Sequence, residues 1–146
     1  MRARFVPFAA AVAVMLSFAA AGCSSDIAAS PTAGAVFTKT DLVFGGGAEA
    51  ASGNTVTVNY TGWFFDASKP NQKGAQFDTS TGGGPITFTL GSNEVIDGWE
   101  QGVPGMRVGG TRRLIVPPAL GYGGSRQGLI PPNAPLIFEI ELLQVQ

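Results

Sequence analysis

Residues 94–103 read Glu-Val-Ile-Asp-Gly-Trp-Glu-Gln-Gly-Val and contain the one convincing helix that the sequence predicts. We expect the helix to run from Asp97 to Val103, with the Asp97 carboxylate accepting amide hydrogen bonds at its start. On both sides the chain alternates polar and apolar residues with a period of two, which is typical of strands. One short helix among strands, with 21 glycines and 10 prolines, predicts a turn-rich α+β domain and not a helical bundle.

Six segments outside the helix have the pattern of β-strands. They are residues 36–44, 55–62, a short strand around 76–78, 86–90, 111–116 and 136–143. Alternation places Val56, Val58 and Tyr60 on one inward face of the second strand. In the last strand it places one apolar face toward the core, formed by Leu136, Phe138, Ile140 and Leu142.

Two loops interrupt the strands. Residues 66–75 are polar and predict an exposed loop, while residues 117–135 are rich in proline and glycine and predict a long one. A long loop in a compact domain is usually functional or mobile.

Composition excludes several kinds of chemistry. The chain has no histidine and one cysteine, so the usual zinc, haem and triad ligands and an internal disulfide are absent. The net charge of -1 gives no electrostatic attraction to nucleic acid. Gly45-Gly46-Gly47 has no lysine or helix start after it, which indicates a turn and not a phosphate loop. We therefore expect no metal and no cofactor.

The positive signal is a surplus of aromatic residues that the strand pattern points inward. They are Tyr60, Phe77, Trp99, Tyr122 and Phe138, and in the sequence they are interleaved with the aliphatic pair Val95-Ile96. Two interpretations are open: the aromatics fill the core, or they line a pocket that binds a ligand.

The aromatic residues belong to a collinear series of sequence blocks. The blocks are VNYTG at 58–62, FDTS at 77–80, LG at 90–91, EVIDGWEQGV at 94–103, MRVGG at 106–110, LIPPNA at 129–134 and FEIELL at 138–143. This series resembles the FKBP family of prolyl isomerases over residues 36–146. The resemblance implies a half-wrapped antiparallel sheet of about five strands, with one short helix across its concave face and a pocket between the two.

The resemblance also implies roles for individual residues. Trp99 is expected to form the pocket floor, and the Ile96 backbone amide to hold a ligand carbonyl. Asp78 and the Tyr122 hydroxyl are expected to orient the substrate. The remaining expected walls and borders are Tyr60, Phe77, Ile86, Val95, Leu129, Ile130 and Phe138.

Two of these roles have an alternative. Asp78 also fits a turn-capping carboxylate bonded to nearby hydroxyls, and both interpretations can hold together. Tyr60 could simply fill the core, but a buried tyrosine needs a hydrogen-bond partner, and Asp78 is the obvious candidate.

The implied activity is cis/trans isomerisation of peptide bonds preceding proline, and the residue types suit it. Rotating a prolyl amide breaks no bond, so neither a nucleophile nor a titrating base is needed. The implied partners are proline-containing polypeptides, in the folding of envelope or secreted proteins, and macrolide inhibitors of the family. A binding module without catalysis and a structural lipoprotein are the alternative hypotheses.

The chain departs from the family pattern near the pocket. The family often carries an arginine shortly after the Phe-Asp block, where this chain has Gly82-Gly83-Gly84, and an aromatic where it has Ile86. The segment between Tyr60 and Phe77 is longer than in small cytosolic members, and the loop around Arg126 is slightly shorter. We expect these differences to affect substrate choice more than fold.

The first 22 residues have the pattern of a secretory signal peptide. Arg2 and Arg4 precede an apolar run that ends in Ala20-Ala21-Gly22-Cys23. This ending resembles a bacterial lipobox, which implies that Cys23 is a lipid attachment site. The alternatives are a conventional cleavage site and a buried cysteine. Residues 23–35 then predict a flexible tether, and the whole predicts a monomer anchored by lipid to a membrane of the cell envelope.

Overall fold

The computed structural model describes residues 35–146. The predicted signal peptide, Cys23 and the tether up to residue 34 lie outside the described residues. The elements are β1 Thr38–Val43, β2 Thr55–Phe65, β3 Lys73–Thr79, β4 Ile86–Thr89, α1 Asp97–Gly102, β5 Thr111–Val116 and β6 Leu136–Val145, with 3-10 turns at Pro70–Gln72 and Pro118–Leu120. Within residues 35–146 no helix is long and apolar enough to cross a membrane.

The strands form one antiparallel sheet. Its order is β1-β5-β6-β2-β3, and β4 pairs with β2 as well. The long strand β2 serves two partners along the same edge, because β4 pairs with its first half and β3 with its second half. The predicted α+β fold, an antiparallel sheet of about five strands with one short helix, is confirmed, and the sheet has six strands.

Alternation along the central strands builds the core. Val56 and Val58 of β2 are fully buried, as predicted. The inward face of β6 is buried as well, and it comprises Leu136, Phe138, Ile140 and Leu142. These side chains pack under α1, whose Trp99 belongs to the same hydrophobic cluster. Burying this apolar face supplies the main stabilisation of the sheet.

Helix α1 lies unusually close to strand β5. A methyl group on Gly98 would come within 2.7 Å of a Val116 methyl, and one on Gly102 within 2.5 Å of a Leu114 methyl. Real side chains do not approach so closely. The two glycines are four residues apart and therefore face the same neighbour, so the helix rests directly on the branched side chains of β5.

The start of α1 differs from the sequence prediction. Ile96 is the N-cap residue, in extended conformation and without a side-chain cap, and Asp97 is already the first helical residue. The predicted capping role of Asp97 is therefore wrong, because a carboxylate caps from the non-helical position that precedes the first turn. The helix also ends at Gly102, one residue before the predicted Val103.

Strand boundaries also differ from the prediction. β2 continues to Phe65, and β3 begins at Lys73, which pairs with Phe65. The exposed loop predicted for 66–75 is thus shortened to the residues between these strands. β1 is shorter than the predicted 36–44. Register shifts in the β2–β3 pairing explain why a regular alternation did not reveal the hairpin.

A buried arginine joins the helix to the edge of the sheet. Arg112 of β5 is 8% exposed, and its Nη1 donates hydrogen bonds to the carbonyl oxygens of Gly102 at 2.8 Å and Pro104 at 3.1 Å. Its Nε and Nη2 bind the Asp41 carboxylate of β1 at 2.6 and 3.1 Å. The guanidinium thus satisfies carbonyls at and just beyond the helix end while it holds the edge strand.

Replacing this arginine tests its contribution. We expect Arg112→Met to lower the free energy of unfolding by about 2–4 kcal/mol, because it leaves buried carbonyls and Asp41 without a donor. Arg107→Met is the matched control, since the Arg107–Glu49 pair is more than half exposed and is worth about 0–1 kcal/mol. Urea unfolding measures both variants. Equal losses would contradict the proposed contribution of Arg112.

Candidate functional site

A cavity of about 570 Å³ opens between α1 and the concave face of the sheet. The segment before α1 and the loop after β5 complete its rim. All eleven residues that the sequence analysis placed at the pocket line this cavity: Tyr60, Phe77, Asp78, Ile86, Val95, Ile96, Trp99, Tyr122, Leu129, Ile130 and Phe138. Glu94, Gln127 and Gly128 line it as well and were not predicted.

Aromatic rings form the base of the cavity. Trp99 is 4% exposed, and its ring stands edge-on to Tyr60 at 5.1 Å and to Phe138 at 5.3 Å between centroids. Phe77 meets Phe138 edge-on at 5.7 Å. Such T-shaped contacts fix ring orientation as well as burying area. The floor is therefore a rigid apolar surface.

The indole nitrogen of Trp99 is a donor that the described residues do not satisfy. Its Nε1 is buried without a hydrogen-bond acceptor in the described part of the chain. A buried donor without a partner costs stability, so Trp99 is a costly choice for a purely structural position. Trp99 contributes its ring surface to the cavity.

The polar groups of the cavity are few. The Tyr60 hydroxyl donates to Asp78 Oδ2 at 2.6 Å, and the Thr79 amide donates to Asp78 Oδ1 at 2.8 Å. Asp78 thus accepts from a pocket hydroxyl and from the next amide, which fits the turn-capping interpretation. Its role in orienting a substrate stays a prediction. No cation pairs with Asp78 among residues 35–146, and the Gly82–Gly84 turn has no side chain to supply one.

The Ile96 backbone amide is free to bind a ligand. Within residues 35–146 its N–H has no acceptor, while its carbonyl oxygen accepts from Trp99 and Glu100 at the start of α1. Unpaired amides are a normal property of a helix start. The amide is thus a fixed donor on a segment that lines the cavity.

The long loop after β5 closes one side of the cavity through a tight turn. Gln127 and Ile130 exchange two backbone hydrogen bonds, of 3.0 and 2.8 Å. The turn directs Ile130 into the core, where it is 7% exposed, and leaves Leu129 at the rim, 77% exposed. The two residues therefore border the cavity differently, because Ile130 forms part of its wall and Leu129 lies at its exposed rim.

Comparison with protein families agrees with this geometry. Residues 46–143 match the family model described as FKBP-type peptidyl-prolyl cis-trans isomerase. The chain belongs to this family. It is an FKBP-type prolyl isomerase by sequence and by fold.

Individual relatives support the assignment. An FK506-binding protein of Neisseria meningitidis serogroup B is 47% identical over 107 residues, which cover 72% of this chain and 92% of that protein. FK506-binding protein 1 of Aspergillus oryzae is 44% identical over 105 residues, covering 69% and 90%. The aligned residues make up nearly the whole of each relative.

Solved FKBP structures share the fold. The crystal structure of FkpA from Escherichia coli gives a TM-score of 0.64 at 37% identity, covering 75% of this chain and 48% of that one. The crystal structure of AtFKBP13 gives 0.62 at 37% identity, covering 75% and 93%.

Gly62 is a pocket determinant that the sequence analysis quoted without a role. A methyl group there would come within 2.6 Å of Phe77 Cζ and 3.0 Å of Phe138 Cε1. The missing side chain on β2 lets both rings lie against the sheet. Its place in the VNYTG block was the available signal, but only the packing of the two rings shows why glycine is needed.

The pocket keeps its tyrosines protonated. Burial, the hydrogen bond to Asp78 and the Asp78 charge together raise the pKa of Tyr60 to about 12. Burial and then the Asp78 charge raise the pKa of Tyr122 as well. Both hydroxyls therefore remain donors throughout the neutral range.

Titration of tyrosine absorbance tests this arrangement, because the chain contains two tyrosines and both line the cavity. We expect a Tyr60 midpoint near pH 12, and Asp78→Asn should lower it while burial keeps it above the ordinary value. The raised pKa means that folding favours protonated Tyr60. The stability that this preference adds to the folded domain is fully present below about pH 10. It is lost as the pH rises toward the folded pKa, and circular dichroism must be followed in parallel. Ordinary ionisation of both residues in the folded protein would contradict the arrangement.

Proposed function

We propose that the cavity binds a proline-containing segment and accelerates rotation about the bond before proline by non-covalent stabilisation of the twisted amide. The observation that carries this mechanism is the rigid aromatic floor around Trp99, in a cavity with few fixed polar groups. The floor offers a proline ring an apolar surface, and the rim donors offer positions for the flanking backbone.

The physical basis is the change in polarity during rotation. A planar amide owes its rotational barrier of about 18–20 kcal/mol to resonance that separates charge between nitrogen and oxygen. The twisted amide loses that resonance and is less polar. An apolar cavity therefore disfavours the planar state relative to the transition state, and only such differential binding lowers the barrier.

Fixed donors complete the mechanism. The free Ile96 amide holds a substrate carbonyl, and the Tyr122 hydroxyl and Asp78 orient the chain around the rotating bond. Holding the flanking backbone in a turn reduces the entropy that must be lost at the transition state. Tyr60 fixes the Asp78 carboxylate through its 2.6 Å hydrogen bond.

Catalysed exchange in a proline peptide tests the mechanism. The assay follows a Leu-Pro peptide by exchange NMR with catalytic amounts of a protein of residues 35–146. We expect Trp99→Ala and Asp78→Asn each to lower kcat/KM at least about tenfold, a loss of about 1.4 kcal/mol of transition-state stabilisation. Trp63→Ala is the control, since Trp63 contacts Lys73 and does not line the cavity; it should change kcat/KM less than about twofold.

Folding must be separated from function in this assay. Removing a buried aromatic ring can cost about 3–5 kcal/mol, so the Trp99 variant is interpreted only if its NMR spectrum is dispersed. Asp78→Asn keeps the shape of the side chain and removes the charge. A folded wild-type domain that binds the peptide without accelerating exchange would replace the catalytic role with that of a binding module.

We also propose that the cavity accepts macrolides of the FK506 type. The support is the printed name of the relatives, FK506-binding protein, together with the same aromatic floor. Ile86 supplies an aliphatic wall where the family often has an aromatic residue. We therefore expect macrolide affinity to be the property that this difference changes most. Competition by FK506 in the exchange assay measures it.

For location, we propose a lipid-anchored protein of the bacterial cell envelope that acts on envelope or secreted proteins. The support is the sequence of residues 1–23, in which two arginines precede an apolar run that ends at the only cysteine. Two or more acyl chains hold a protein stably on a membrane, whereas one chain binds only marginally.

Fatty-acid labelling tests the anchor. We expect the full chain, expressed in a bacterial host, to incorporate labelled palmitate and to sediment with membranes. Cys23→Ser should lose both properties, because its hydroxyl does not replace the thiol that is acylated. A Cys23→Ser protein that still sediments with membranes without label would show that another feature holds it there.

A further inference from the structure

The charges that line the cavity have one sign. Among its lining residues only Asp78 and Glu94 carry charge, and both are carboxylates. The remaining lining is aromatic, aliphatic or neutral polar. A charged group at the edge of an apolar cleft acts over a longer range than one on an open surface, because the protein wall focuses its field.

Four of the seven lysine and arginine side chains among residues 35–146 are in ion pairs away from the cavity. The ion pairs join Lys73 and Arg113 to Glu139, Arg112 to Asp41, and Arg107 to Glu49. None of these pairs involves a residue that lines the cavity. Arg126 is exposed beside Gln127 on the rim, and Lys39 and Lys69 are exposed on other segments. None of these three cations belongs to the lining, which carries the two carboxylates.

Glu94 lines the cavity next to the segment that carries the Ile96 amide. Its Oε2 accepts a hydrogen bond from the Thr89 amide at 3.2 Å, and the residue directly precedes the Val95-Ile96 segment. The carboxylate is exposed and has no cation within ion-pair distance among residues 35–146. It therefore lies near the Ile96 amide to which a substrate carbonyl is assigned.

We propose that Glu94, together with Asp78, makes the enzyme select proline segments with a lysine or arginine beside the hydrophobic-proline pair and disfavour acidic ones. This rests on the proposed function of the cavity. Unit charges about 4 Å apart in water change an equilibrium roughly fivefold. We expect a preference of about two- to fivefold in kcat/KM for each flanking charge at low salt.

A peptide series measures the preference. Three peptides share a Leu-Pro pair and carry Lys, Gln or Glu before the leucine, and a second set carries the same residues after the proline. Exchange rates are measured at about 0.01 M salt and about 1 M salt, where the screening length falls from about 30 to about 3 Å. The order Lys over Gln over Glu is expected at low salt in at least one set, and the differences should disappear at high salt.

Substitutions at Glu94 test whether its carboxylate is the charge responsible for the preference. Glu94→Gln keeps an oxygen that can accept from Thr89 and removes the charge, so the ratio of Lys to Glu peptide rates should fall by at least half. Glu94→Lys should reverse the order in the responsive set. Glu141→Gln is the matched control, because Glu141 is exposed on the opposite face of the sheet and should leave the ratio unchanged.

The outcomes distinguish this proposal from the isomerase mechanism. If the Gln peptides are catalysed but the Lys and Glu peptides react at equal rates, only the proposed charge selection is overturned. The same conclusion follows if the preference survives both Glu94→Gln and Glu94→Lys. Failure to catalyse any peptide would overturn the proposed function itself. Glu94 is thus assigned a role in substrate choice and none in bond rotation.

Discussion

The close approach of α1 to β5 is the constraint on which the rest of the structure depends. A six-residue helix has no stability of its own, so it exists only because it packs against the sheet. Gly98 and Gly102 let its backbone rest on Val116 and Leu114, and this fixes the height of Trp99 above the sheet. A bulkier residue at either glycine would lift the helix and with it the floor of the cavity.

The cavity is an unfilled part of the hydrophobic core. Trp99 and Phe138 belong to the buried cluster and also line the cavity, so the same contacts serve stability and binding. Gly62 contributes to this packing, because its missing side chain leaves space on β2 for the rings of Phe77 and Phe138. The packing of these rings therefore sets the shape of the cavity.

The sequence predicted much of this because its strongest signals are local. The alternation of polar and apolar residues was sufficient to predict that Val56 and Val58 lie in the core. The resemblance to the FKBP family was sufficient to predict eleven residues that line the cavity. The full length of β2 and the start of β3 were missed because register shifts interrupt their alternation. Glu94 and Gly62 were missed because their importance depends on which distant residues face them, which only the folded chain reveals.

The position of β1 determines how the domain would bear mechanical load. The chain enters the sheet at Thr38 on an edge strand, whose pairing with β5 begins at Ile115. Tension at that end would open the strand pairs one after another, a mode that resists force weakly. The Asp41–Arg112 bridge lies at the fourth pair and would be the first strong resistance. β5 and β6 separate β1 from the central strand β2, so fraying of this edge would leave the strands that line the cavity paired.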